Sequence, residues 1–126
     1  MKIRVLLFAI GLASLIASCG AEDLGKSDCA IHYINYLDRS EDEYQELMVQ
    51  PDSQGNDQSL ENCYNRHHYT RRYILRLYTT RNDLNAGNCT EEEKNDIRAE
   101  ISERIQELEQ DIENIWSRCD EVFGGD

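Results

Sequence analysis

Between Ile101 and Val122 the chain sets Ile101, Ile105, Leu108, Ile112, Ile115, Cys119 and Val122 at successive steps of 4, 3, 4, 3, 4 and 3 residues. A strand repeats its face every second residue, whereas an α-helix brings these steps onto one stripe, so the segment can bury its apolar residues together only as a long helix. Its start is written as well. Thr90 followed by Glu91, Glu92 and Glu93 makes a capping box, in which Thr90 and Glu93 satisfy each other's free amides while acid accumulates at the positive helix end. Gly124-Gly125 stops it, giving a predicted helix over about 90–122.

The rest of the chain divides as cleanly. Its single proline, Pro51, lies in the polar run Gln50–Asn56, and a second breaker-rich run spans Asn82–Asn88; these are the two internal loops. The segments between them lack proline and glycine, carry apolar residues at helical spacing and show no strict alternation. After a Ser27 cap, helix one over about 28–49 offers Ala30, Tyr33, Leu37, Tyr44 and Leu47, with Ile34 and Met48 beside them. Helix two, over about 58–82, offers Leu60, Cys63, His67, Thr70, Ile74, Leu77 and Arg81, flanked by Tyr64, Arg71, Leu75 and Tyr78. That face is polar for a core. The expected fold is all-α, a three-helix up-down-up bundle in one domain over residues 27–126, since a chain of this length holds one core.

The N-terminus carries Lys2 and Arg4, an apolar stretch from Val5 to Ile16, and then Ile16-Ala17-Ser18-Cys19. A basic start, a short apolar segment and small residues before a cut form a secretory signal, and this one is too short to span a bilayer. Residues 1–20 resemble the signal peptide of bacterial lipoproteins, with Ile16 where Leu is usual. The resemblance implies cleavage after Ser18, lipid attachment at Cys19 through diacylglycerol on sulfur and an acylated amino group, and a bacterial cell-envelope address. Gly20 in place of Asp implies the outer membrane. Two or three acyl chains hold a protein far more durably than one, and a tether over residues 19–26 spans at most about 28 Å.

With Cys19 lipidated, Cys29, Cys63, Cys89 and Cys119 remain, an even number in an oxidising compartment, and two disulfides follow. Zinc is the rival, but no two of these cysteines form the tight pair that metal sites carry. In an up-down-up bundle Cys29 and Cys89 fall at one end, and Cys63 and Cys119 at the other, so the expected bridges are Cys29 with Cys89 and Cys63 with Cys119. Other pairings would join opposite ends, beyond the roughly 7 Å between α-carbons that a bridge allows. The second bridge carries a mismatch: Cys63 to Leu84 climbs about 31 Å and Thr90 to Cys119 about 43 Å, and a loop or tilt must absorb the difference.

The whole sequence carries a formal net charge of −12, and removing residues 1–18 deletes Lys2 and Arg4 and no acid, making the exported chain more acidic still. Nucleic acid is excluded as a partner, because binding it requires a basic surface. The basic residues concentrate on helix two, where Arg66, Arg71, Arg72, Arg76 and Arg81 occur with no acid between Cys63 and Asn82. Two readings follow: interhelical pairing with the acidic helices on either side, or an interaction face of Arg66, Tyr69, Arg72, Tyr73 and Arg76, with Tyr78 near it, since Arg and Tyr are enriched at binding hot spots.

No serine, cysteine or histidine spacing suggests a nucleophile with its base, so no catalytic residue is assigned and an enzyme is not expected. His67 and His68 point about 100° apart on a helix and His32 lies on another, which gives no metal site, and no cofactor is expected. The expectation is a non-enzymatic protein-interaction module on the envelope, bound to the membrane through its lipid anchor. Small acidic anchored proteins are similar to immunity or inhibitor lipoproteins that neutralise a basic toxin or hydrolase, and opposite fields speed such association. A structural scaffold or assembly factor and a surface adhesin are the alternatives. Membrane face, partner and oligomeric state are left open.

Overall fold

The structure, a computed structural model, describes residues 25–124. The expected signal peptide over 1–18, the expected attachment residue Cys19 and most of the expected tether lie outside the described residues. Within them the chain is all-helical, with α1 over Asp28–Met48, α2 over Leu60–Asp83 and α3 over Glu91–Phe123, and a single 3-10 turn over Leu84–Ala86. Each α-helix starts on a side-chain cap. Ser27 accepts from the amide of Ala30, Ser59 from that of Asn62, and Thr90 from that of Glu93, whose carboxylate returns to the Thr90 amide to close the box. Ser59 moves the start of α2 two residues beyond 58, because the cap must lie outside the helix.

The loop before α2 is built around Asp52. Its carboxylate accepts from the amides of Gln54 and Asn56 at 2.9 and 2.8 Å, and its amide donates to the carbonyl of Asn56. Gly55 closes this turn at φ +84°, a left-handed conformation that favours glycine.

The core is one cluster. Ala30, Leu37 and Tyr44 of α1 meet Tyr73, Ile74 and Leu77 of α2 and Ile97, Ile101, Ile105 and Leu108 of α3. The seam of α3 is buried at Ile101, Ile105, Leu108 and Cys119, half-buried at Ile112 and Ile115, and open at Val122, which is 64% exposed. That corrects the expectation for Val122. Cys119 is bonded to Cys63 in the first turn of α2, so Val122 falls in the last turn of α3 beside the very start of α2, where neighbours thin out. Leu47 and Leu60, both placed on buried stripes by their spacing, are each 40% exposed for a related reason: they sit at the last turn of α1 and the first of α2, where neighbours thin out.

The polar face of α2 is reconciled with burial locally. The hydroxyls of Thr70 and Thr80 donate to the carbonyls of Arg66 and Arg76, each at 2.8 Å, so their protons are satisfied within the helix. The single proton of Thr70 is thereby used, and the Tyr44 hydroxyl, 2.9 Å away, donates to Thr70 in turn. Tyr44 also stacks on Tyr73 with ring centroids 4.7 Å apart and planes 18° from parallel.

Two bridges tie the helices. Cys29 is bonded to Cys89 and Cys63 to Cys119, with α-carbons 5.1 and 5.8 Å apart. The length mismatch of the second is taken up above α2. The 3-10 turn continues directly from Asp83 and prolongs the path by about 6 Å at about 2 Å per residue, and Gly87 and Thr90 are extended. Leu84 in that turn is fully buried, although its neighbourhood reads as a loop in sequence.

Beside their share of the apolar core, α1 and α3 are joined by two sets of polar ties. Ser27 donates from its amide and its hydroxyl to the Glu93 carboxylate at 2.8–3.0 Å, so one carboxylate serves the starts of two helices. Further along, the Arg104 guanidinium on α3 pairs with Glu41 at 3.2 Å and Asp38 at 3.6 Å on α1 and with Glu100 at 2.7 Å on its own helix, and donates to the carbonyl of Leu37 at 3.4 Å.

Candidate interaction surface

The five residues proposed as an interaction face do not act as one. Tyr73 is 6% exposed and belongs to the core, which corrects its place on that face: its ring fills the gap beside Tyr44, and α2 turns that side inward. Burial pushes its phenol above the ordinary value, opposed by the Arg104 guanidinium beside it, and its buried hydroxyl has no well-aligned hydrogen bond. Arg76 is exposed but engaged, its guanidinium 2.8 Å from the Glu43 carboxylate of α1. Arg66 turns to a different groove and donates to the carbonyl of Asp57 at 3.1 Å.

What remains open is Arg72 beside a half-buried Tyr69. They border a shallow groove of about 140 Å³ between α1 and α2, with Glu43, Leu47 and Arg76 on its rim and Tyr44 and Tyr73 beneath. Arg71 and Arg72 have no carboxylate within 4 Å among the described residues. Interhelical pairing therefore accounts for Arg76, and in part for Arg81, which donates to Ser102 of α3 at 3.0 Å and lies over the Tyr78 ring at 4.8 Å. Tyr78 itself donates to Glu109 at 2.8 Å; that bond to a carboxylate holds its phenol above its ordinary value.

Near the start of α2 and the end of α3 stand four further exposed apolar residues. Tyr64 and Trp116 are 49% and 47% exposed, and Leu60 and Phe123 are each 40% exposed. The Trp116 indole lies 5.0 Å from the His67 ring and 5.7 Å from the Tyr64 ring. Sequence reading passed over this cluster because Trp116 falls off the α3 seam and Tyr64 off the main α2 stripe; only the pairing of α2 with α3 brings them together.

The three histidines each lie against an aromatic ring, His32 on Tyr33, His67 on Trp116 and His68 on Tyr69. Among the described residues no three of His, Cys, Asp and Glu gather to hold a metal ion, and no helix is long and apolar enough to cross a membrane. Compared with protein-family models, curated proteins and solved structures, the chain finds no match.

Proposed function

We propose that this chain is a small acidic lipoprotein of the bacterial cell envelope, anchored at Cys19 and directed to the outer membrane, that works as a non-enzymatic protein-interaction module of the inhibitor or immunity type. Its partner is a basic protein, a toxin or a hydrolase. The supporting observation is where the acid goes. Arg76 and Arg104 are spent on ties between helices, while Glu103, Glu107, Glu113 and Glu121 on α3 are exposed and have no cation within 4 Å among the described residues. The exported chain, more acidic than the −12 of the whole sequence, thus presents a negative field to solvent, where it accelerates encounter with a cationic surface.

In this reading the helices alternate up-down-up. The bridge from Cys29 to Cys89 joins the start of α1 to the approach of α3, that from Cys63 to Cys119 joins the start of α2 to the end of α3, and Met48 lines one groove with Cys63 and Ile115. All three favour it. A scaffold reading draws on Val122, a seam position left open for another helix, and cross-linking in cells separates a stable assembly from a transient inhibitor.

The direct test passes basic secreted toxins and lysozyme-type hydrolases over the purified full-length protein in detergent. Saturable binding that weakens at least tenfold from low to high salt is expected, since the attraction is screened; no binding at low salt overturns the reading. Mass spectrometry of the native protein checks acylation at Cys19.

A further inference from the structure

Trp116 and Tyr64 form a half-exposed aromatic pair far along α3 from Ser27. Ser27 is fixed by Glu93 at the first turn of α3, and Trp116 lies 23 residues further along that helix, about 35 Å of helix rise at 1.5 Å per residue. His67 braces one side of the indole. Nearly half of Trp116 is left to solvent.

One helical turn before and after Trp116, on its own face of α3, stand Glu113 and Asp120. Both are exposed, and neither side chain is engaged in an ion pair or hydrogen bond among the described residues. Two of the nearby cations point elsewhere. Arg118, two residues on, faces the groove with Met48 and Ile115, and Arg66 is turned to Asp57. Arg71, one turn beyond His67 on α2, is a nearby cation left exposed, with no carboxylate within 4 Å among the described residues.

An exposed indole with unpaired carboxylates to either side attracts a guanidinium or ammonium twice, through the ring face and through the charge. Trp and Tyr are also the residue types that anchor interfaces. We propose that Trp116 and Tyr64 are the anchor of the interaction surface, receiving an arginine or lysine side chain from a basic segment of the partner, with Glu113 and Asp120 as its counter-charges. This deepens the reading of an acidic module for a basic partner and rests on it.

The sequence contains one tryptophan, so its fluorescence reports this site alone. The full-length protein in detergent is titrated with nona-arginine, and with a neutral Gly-Ser peptide as control, following both Trp116 emission and the polarisation of labelled peptide. The expected result is a saturable change in emission with nona-arginine only, and binding weakened about fivefold or more in Trp116→Ala and in Tyr64→Ala. Leu75→Ala, at an equally exposed residue three turns away on α2, leaves binding unchanged, and circular dichroism checks that all variants fold. If Trp116→Ala and Tyr64→Ala bind as tightly as the parent, the acidic field alone captures the peptide and the anchor is refuted while the module stands. If nona-arginine fails to bind the parent at low salt, both fall.

Discussion

Tyr44 and Tyr73 are stacked partners with opposite polar fates. The Tyr44 hydroxyl donates to Thr70, whereas that of Tyr73 is buried beside the Arg104 guanidinium with no well-aligned bond. An unmade hydrogen bond inside a protein costs the desolvation of the group, while a made one contributes about 1 kcal/mol. Replacing each with phenylalanine keeps the ring stack and isolates the hydroxyl. Tyr44→Phe is expected to lose about 1 kcal/mol, and Tyr73→Phe to be neutral or to gain up to about 1 kcal/mol. Urea unfolding of the two variants against the parent decides this, and a larger loss for Tyr73→Phe would show that its hydroxyl has a partner. The same residue marks a limit of reading from sequence. On α2 the tyrosines and arginines are interleaved so evenly that several stripes are amphipathic, and only contact with Tyr44 fixes Tyr73 inside and Tyr69 at the rim.

Helix starts were more legible than helix surfaces, because a cap is a local arrangement. Ser27, and Thr90 with Glu93, can be read as caps from neighbouring residues alone, since an oxygen meets amides two or three positions on. The reach of Glu93 to Ser27 cannot, as those residues are 66 positions apart. The burial of Leu84 is hidden for a similar reason: Asn, Asp and Gly around it signal a loop, and its burial depends on what lies beneath the 3-10 turn. Amides of Thr90 and Ser27 and the Ser27 hydroxyl hold the Glu93 carboxyl down to about 2, from an ordinary 4.5. A carboxyl depressed by folding stabilises the native state above its unfolded pKa and ceases to do so as pH falls through the folded one. Glu93→Gln should therefore lower the thermal midpoint at neutral pH, with the gap to the parent shrinking between about pH 4.5 and pH 2. Melting both proteins across that range checks the sign; a gap that widens in acid would mean that Glu93 does not link the two helix starts.

Across the whole molecule, the three helices are not equally committed. α2 and α3 share most of the buried residues and the bridge from Cys63 to Cys119, whereas α1 contributes Ala30, Leu37, Ser40 and Tyr44 to the interior and is otherwise held by Arg104, Arg76, the Ser27–Glu93 contact and the bridge from Cys29 to Cys89. Exposed ion pairs are weak, so the bridge is the strongest of those ties. It closes a separation of 60 residues, for which the chain-entropy model gives roughly 4 kcal/mol. A domain of this size has only about 5–15 kcal/mol of stability in total. Replacing Cys29 and Cys89 together with serine should then let α1 open as a unit while α2 and α3 stay closed on each other. Native-state hydrogen exchange is the measurement: amides of residues 31–48 should lose protection by a common factor, and those of 70–80 and 97–119 should lose much less. Replacing Cys63 and Cys119 should instead loosen the end that carries Trp116, reddening its emission, because the last turns of α3 have little else to hold them against α2. If both pairs of substitutions lower protection equally everywhere, the domain is a single cooperative unit and α1 is as firmly seated as its neighbours.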